Sequence, residues 1–153
     1  MLIGSSATGT GIIGYDADGK VQLWVVNQVG ASDWQIELPE MPQLPPVPLA
    51  GGFVLAYPGR LSLVLRTRAR VNDFQANVAP GKETKWTGLA SLGKDAVVAR
   101  DSEGGLVKIG FRPQPLPHLA SLATLAGDGP SSGSIGSDAG AVAFVDASNT
   151  LHL

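Results

Sequence analysis

The sequence predicts an all-β protein of the β-propeller type, with about three and a half four-stranded, antiparallel blades. A short apolar run, a turn and a second run with every other residue apolar occur together four times. The turn markers Gly19, Gly59, Gly104 and Asn149 lie 40, 45 and 45 residues apart. Hairpins repeated at a period of about 40–45 residues are typical of propeller blades. No window of a dozen residues has the apolar spacing of a helix without interruption by Gly or Pro.

The repeats divide a single predicted domain into four parts, approximately residues 10–49, 50–92, 93–137 and 138–153. In each part, apolar residues alternate on both sides of the turn, which places them on one face of a strand. The predicted hairpins join 11–15 to 20–26, 51–57 to 60–67, 95–101 to 106–111, and 141–144 to 151–153.

Further segments complete the blades. Residues 34–38 and 73–78 predict outer strands, and each contains an aromatic residue near its start. Residues 118–126 fit either a helix or an outer strand, and their short length favours the strand. Residues 39–46 contain four prolines, which cannot donate to a central ladder, so this segment suits the crossing to the innermost strand of the next blade.

The predicted ring is incomplete at both ends. The last repeat ends after its second hairpin strand, and the residues before the first hairpin leave little room for an innermost strand. Propellers protect their strand edges by closing the circle, typically with four to eight blades. We therefore expect either self-association, as a homodimer or an edge-to-edge oligomer, or completion by further blades of a longer propeller.

Composition excludes several classes of function. Eleven basic and thirteen acidic residues give a net charge of −2, unlike the basic surface of a nucleic-acid-binding protein. The absence of cysteine excludes disulfides and thiolate metal sites. No run of about 18 apolar residues predicts a membrane span, and the first residues lack the pattern of a signal peptide. Either the protein stays where it is made, or an address segment is missing; the compartment is open.

About 35 residues follow a distinctive order. They comprise Gly30, Trp34-Gln35-Ile36-Glu37-Leu38-Pro39, Pro45-Pro46-Val47, Gly51-Gly52-Phe53-Val54 and Gly59-Arg60-Leu61. This order resembles the PQQ-like, quinoprotein-type propeller repeat, which has Gly-x-x-x-Trp, Pro-Pro-Val, Gly-Gly-x-Val and Gly-Arg-Leu. The chain departs from the repeat at Val26 and Val29, where the family has Asp and Thr. The second repeat keeps only an aromatic, Phe74, and the third lacks it.

The resemblance implies a propeller fold and one of two functional branches. Quinone-dependent dehydrogenases of this family have a tryptophan in nearly every blade, an adjacent cysteine pair and a calcium site. This chain has three tryptophans and no cysteine. The resemblance therefore implies the non-catalytic scaffold branch, with no cofactor.

Few residues suggest chemistry. Asp16-Ala17-Asp18-Gly19 resembles the start of a calcium loop, but Val21 and Leu23 follow where oxygen ligands would be needed, so a hairpin turn is favoured. The Gly/Ser/Thr-rich residues 4–11 lack the Lys-Ser/Thr ending of a phosphate-binding loop and suggest a flexible terminus. His118 and His152 have no partners at an informative spacing. We predict no catalytic, cofactor-binding or metal-binding residue.

Arg66, Arg68 and Arg70 form the sharpest charge cluster. Alternate residues of an extended segment point to the same side, so the three guanidinium groups could bind an acidic partner or phosphate groups. Charged residues at a sheet edge also discourage aggregation, and this second interpretation is favoured.

The sequence thus predicts a non-catalytic propeller scaffold for protein–protein interaction. One alternative is a ligand-binding or enzymatic propeller with its site in the central channel. Another is an excised or engineered half-propeller with no function of its own.

Overall fold

The computed structural model describes residues 1–6, 9–67, 70, 73–75, 83–127, 129, 135–138, 141–145 and 150–152. Every regular element in these ranges is a β-strand. The first eight strands are β1 (Leu2–Ser6), β2 (Gly9–Tyr15), β3 (Val21–Val26), β4 (Ser32–Glu37), β5 (Val47–Leu49), β6 (Gly52–Tyr57), β7 (Arg60–Leu65) and β8 (Phe74–Gln75). The others are β9 (Trp86–Leu92), β10 (Ala96–Asp101), β11 (Leu106–Arg112), β12 (His118–Leu125), β13 (Ile135–Asp138), β14 (Ala141–Val145) and β15 (Leu151–His152).

The strands form four antiparallel sheets in chain order, which we call blades 1 to 4. Blades 1, 2 and 3 have four strands each, β1–β4, β5–β8 and β9–β12, and blade 4 has the three described strands β13–β15. The first strands of successive blades contact one another, β1 with β5, β5 with β9, and β9 with β13. This arrangement confirms the predicted all-β, propeller-like fold of about three and a half blades.

The structure decides two predictions about single segments, residues 118–126 and the N-terminal segment. Residues His118–Leu125 form an outer strand of blade 3 and not a helix. The N-terminal segment, expected to be a flexible terminus without an innermost strand, instead supplies one: Leu2 pairs with Ile13 and Ile3 with Ile12. A Cβ at Gly4 would collide with the Pro46 carbonyl oxygen, so the small residues of β1 allow close approach to the neighbouring blade.

Two apolar layers hold the first three blades together. One layer lies between blades 1 and 2 and includes Ile13, Leu23, Phe53 and Leu55. The other lies between blades 2 and 3 and includes Leu61, Leu63, Trp86, Val97 and Ile109. Because blade 2 lies between the two layers, all six residues of β6 are buried.

The hairpin turns of blades 1 and 3 have the same hydrogen-bond pattern, in which an Asp carboxylate accepts two backbone N–H groups. Asp16 Oδ1 accepts hydrogen bonds from the backbone N–H groups of Asp18 and Lys20, both at 2.9 Å. Asp101 Oδ1 accepts them from Glu103 at 2.9 Å and Gly105 at 2.8 Å. The hydrogen bond from Lys20 N–H is the main reason that the pKa of Asp16 is lowered. The first Asp of the Asp-x-Asp-Gly sequence therefore stabilises the predicted hairpin turn.

The close approach of two backbones at Gly52 yields a prediction. A Cβ at this position would collide with the carbonyl oxygen of Val64 on the paired strand. We expect Gly52→Ala to lower the free energy of unfolding by about 2 kcal/mol, because the strands must move apart. Gly136→Ala is the control, since an added Cβ there meets no described atom within 4 Å. Urea unfolding that gives equal losses for the two variants would contradict this packing.

Tyr57 yields a second prediction. Its hydroxyl is buried and has no hydrogen-bond partner among the described residues, and burial raises the pKa of the phenol to about 12, against the opposing effect of Arg70 and Arg60. Between pH 10 and 12 the unfolded chain ionises while the folded chain does not, so stability falls as pH rises through this window. Across this pH window, ionisation of Tyr57 should lower the free energy of unfolding of the wild-type protein by about 2 kcal/mol.

Tyr57→Phe should remove this alkaline loss and leave stability at pH 7 unchanged or slightly higher, because an unpaired buried hydroxyl is lost. Tyr15→Phe, at an exposed tyrosine, is the control and should keep the wild-type profile. Urea titrations at pH 7, 10 and 11.5 measure the difference. A Tyr57→Phe profile identical to that of wild type would refute the argument.

Candidate functional site

Blade 1 has one face that packs on blade 2 and one that does not. The pairs Ile3–Ile12, Ile12–Trp24 and Trp24–Gln35 place these four residues side by side on the second face. Ile3 is 48% exposed, and Ile12 and Trp24 are half-buried. We call this surface, with Val26 beside it, the free face of blade 1.

The free face differs from the corresponding faces of the next two blades. In blade 2, Phe53 and Leu55 face blade 1 and are 4% and 0% exposed. In blade 3, Val97 and Ala99 face blade 2 and are fully buried. Each of these surfaces is covered by the preceding blade. The free face occupies the corresponding position in blade 1, and no described blade covers it.

Blade 4 is at the opposite end of the series of four blades from blade 1. Ile135 packs on Gly88, and the Phe144 ring lies 5.0 Å from the guanidinium carbon of Arg100, so both residues point towards blade 3. Strand alternation then directs Ala143 and Val145 away from blade 3. Ala141 is exposed and these two residues are half-buried. The outward side of blade 4 therefore includes the small residues Ala141 and Ala143 together with Val145 and its paired residue Leu151, which is 61% exposed.

A cleft of about 640 Å³ lies at the end of the sheets where β1 turns into β2, β5 into β6, and β9 into β10. Trp34 and Phe53 line its apolar part. Arg66, Lys94 and Asp33 line its polar part, and Arg66 Nη2 donates to Asp33 Oδ1 at 2.6 Å. This ion pair joins blade 2 to blade 1 across the cleft.

The structure describes two of the three arginines of the predicted cluster, Arg66 and Arg70. Strand β7 ends at Leu65 and the chain turns at Arg66, which lies at the cleft. Arg70 returns to form a single β-bridge with Val64. Arg68 lies outside the described residues. The two described arginines therefore do not continue one strand, and Arg66 is already paired with a carboxylate.

The two histidines lie in different blades. His118 Nδ1 is 2.8 Å from the carbonyl oxygen of Leu116, and the His152 ring stacks on Phe144 with centroids 4.8 Å apart. Within the described ranges, no three His, Asp or Glu side chains are grouped closely enough to hold a metal ion. No helix in the described part of the chain has the length and apolarity to cross a membrane.

Sequence reasoning missed Arg100, whose side chain is 0% exposed between blades 3 and 4. The available signal was a charged residue directly after the apolar run Ala96-Val97-Val98-Ala99. Its position next to the hairpin turn made it resemble an ordinary exposed residue.

No protein-family model matches the chain, and no curated protein is significantly similar to it. The resemblance to the PQQ-like repeat therefore stays a prediction from the residues quoted above. The geometry of the free face and of the cleft carries the functional argument.

Ala50 lines the cleft and has a backbone φ of 51°, which L-residues other than glycine rarely adopt. We expect Ala50→Gly to raise the free energy of unfolding by about 1 kcal/mol, because glycine has no Cβ and adopts the left-handed conformation without a steric penalty. Ala31→Gly, at an exposed position without positive φ, is the control and should not stabilise the protein. Urea unfolding of both variants tests this, and a destabilised Ala50→Gly would contradict it.

Proposed function

We propose that the chain is a non-catalytic propeller scaffold that completes its ring with a second copy of itself and offers the completed ring to protein partners. The observation that carries this proposal is the free face of blade 1. Its apolar residues occupy positions that are fully buried in blades 2 and 3. On this face Ile3, Ile12, Trp24 and Val26 form an apolar strip bordered by polar residues that include Thr10, Gln22 and Glu37. An exposed apolar strip with a polar rim is typical of a protein–protein interface.

The shapes of the two end faces support a second copy as the occupant. The free face presents large side chains, Ile12 and Trp24, and the Trp24 ring lies beside Gly14. The outward side of blade 4 presents the small residues Ala141 and Ala143 opposite these positions, with the larger Val145 and Leu151 beside them. Large residues packed against small ones give the interdigitation found in well-packed cores.

The geometry favours a closed pair over an open chain of copies. Each copy has one free face and one blade-4 face, so blade 4 of each copy can cover blade 1 of the other. A twofold axis then satisfies both contacts at once, as in most homodimers. Such a ring contains seven or eight blades, within the range of known propellers.

A ligand-binding propeller is the second candidate, because the cleft at one end of the inner strands combines aromatic and charged side chains. In the proposed dimer this cleft would lie beside the central channel. A half-propeller without any function of its own would have neither a stable dimer nor a ligand.

Disruption of the free face tests the proposal. Wild type should be a dimer by light scattering at micromolar concentration. Trp24→Glu should raise the dimer dissociation constant by about 100-fold or more, because it places a charge at the centre of an apolar interface. Val29→Glu adds the same charge at a residue that is 86% exposed and outside the free face, and should leave the dimer intact.

A mixing experiment tests the head-to-tail arrangement. Ala143→Glu should also give monomers, because it alters the blade-4 face. In a mixture of Trp24→Glu and Ala143→Glu chains, one of the two contacts in a mixed dimer is unaltered on both sides, so partial dimer formation should return. Circular dichroism confirms that each variant is folded. A monomeric wild type, or mixed variants that remain fully monomeric, would overturn the proposed closure.

A further inference from the structure

Arg100 lies at the end of β10 in the contact between blades 3 and 4. Its side chain is 0% exposed. Nη1 donates to the carbonyl oxygen of Val145 at 2.5 Å, and the guanidinium carbon lies 5.0 Å from the centroid of the Phe144 ring. These contacts fix the plane and direction of the guanidinium group beneath blade 4.

The other side of the same guanidinium group is unsatisfied. Nε and Nη2 are buried and have no hydrogen-bond partner in the described part of the chain. No carboxylate among the described residues forms an ion pair with Arg100. Val98 lies two residues before Arg100 on β10, on the same face of the sheet, and Lys108 is its partner on β11. Lys108 therefore adds a second positive charge to this face.

These features together require a negative partner. A guanidinium group remains protonated in proteins, and leaving it buried without a counter-charge is strongly unfavourable. One neutral carbonyl and the face of a phenylalanine offset only part of that penalty. The unsatisfied Nε–H and Nη2–H bonds point in the same direction, which is the arrangement that binds two oxygens of a carboxylate or phosphate.

We infer that Arg100 binds an oxyanion, a carboxylate or a phosphate, through Nε–H and Nη2–H in the contact between blades 3 and 4. The oxyanion neutralises the buried cation and so fixes blade 4 on blade 3. Its source can be a free anion or a carboxylate of the chain itself. In sequence, Asp146 is a carboxylate that directly follows Val145, and it lies outside the described residues.

Thermal unfolding of the full chain tests this inference with inorganic phosphate as the probe. Phosphate is compared with chloride at equal ionic strength. Arg100→Lys keeps the positive charge and removes the paired donors, whereas Arg112→Lys makes the same change at an exposed arginine on the neighbouring strand. If the anion is free, phosphate should raise the melting temperature of wild type and Arg112→Lys by several degrees and leave Arg100→Lys unchanged.

If the chain supplies the carboxylate, phosphate has no effect, and Asp146→Asn should lower the melting temperature as Arg100→Lys does. The double variant should then show no further loss. Nitrogen-15 NMR of the Arg100 Nε–H gives a readout that does not depend on folded variants, since a hydrogen-bonded proton exchanges slowly with water. A rapidly exchanging Nε–H, or an absent phosphate response together with additive effects of the Asp and Arg100 variants, would overturn the inference.

Discussion

Face-to-face packing of consecutive blades is the constraint on which the rest of the structure depends. A four-stranded sheet has two faces, and blade 2 buries both of them, one against blade 1 and one against blade 3. This double burial explains why β6 is apolar throughout, whereas β3 alternates. It also explains why an end blade differs from a middle blade with the same strand order. What is a core position in blade 2 becomes a partly exposed position in blade 1.

Polar contacts at the ends of the blades complement the apolar layers. Trp86 donates its indole N–H to the carbonyl oxygen of Arg60 at 3.2 Å, and its backbone N–H to Gln43 Oε1 at 3.1 Å. Asp73 accepts hydrogen bonds from Arg60 Nη1 at 2.9 Å and Ser62 Oγ at 2.6 Å. The first pair joins blade 3 to blade 2 and its preceding loop, and the second fixes the outer edge of blade 2. Such directional contacts set the register of blades that apolar packing alone would specify loosely.

The sequence was informative where local chemistry determines local structure. Alternating apolar residues and the turns beginning at Asp16 and Asp101 predicted the hairpins, because both signals act over a few residues. Strand β1 was missed because Gly4 serves a close backbone contact with Pro46, which periodicity does not reveal. Arg100 was missed for a similar reason: its burial depends on blade 4, more than 40 residues later in the chain. Of the predicted arginine cluster, the turn after Leu65 separates Arg66 from Arg70.

The proposed dimer and the proposed oxyanion site at Arg100 both involve blade 4. In the proposed dimer, the free face of blade 1 needs a partner surface with a fixed position, and blade 4 can supply one only if it is held on blade 3. The contact that holds it includes the buried guanidinium group of Arg100, two of whose donors have no partner among the described residues. An oxyanion at Arg100 would stabilise the conformation in which blade 4 packs on blade 3. Ring completion would stabilise the same conformation through the opposite face of blade 4. Two events that favour one conformation must strengthen each other equally, so anion binding and dimer formation should be thermodynamically coupled.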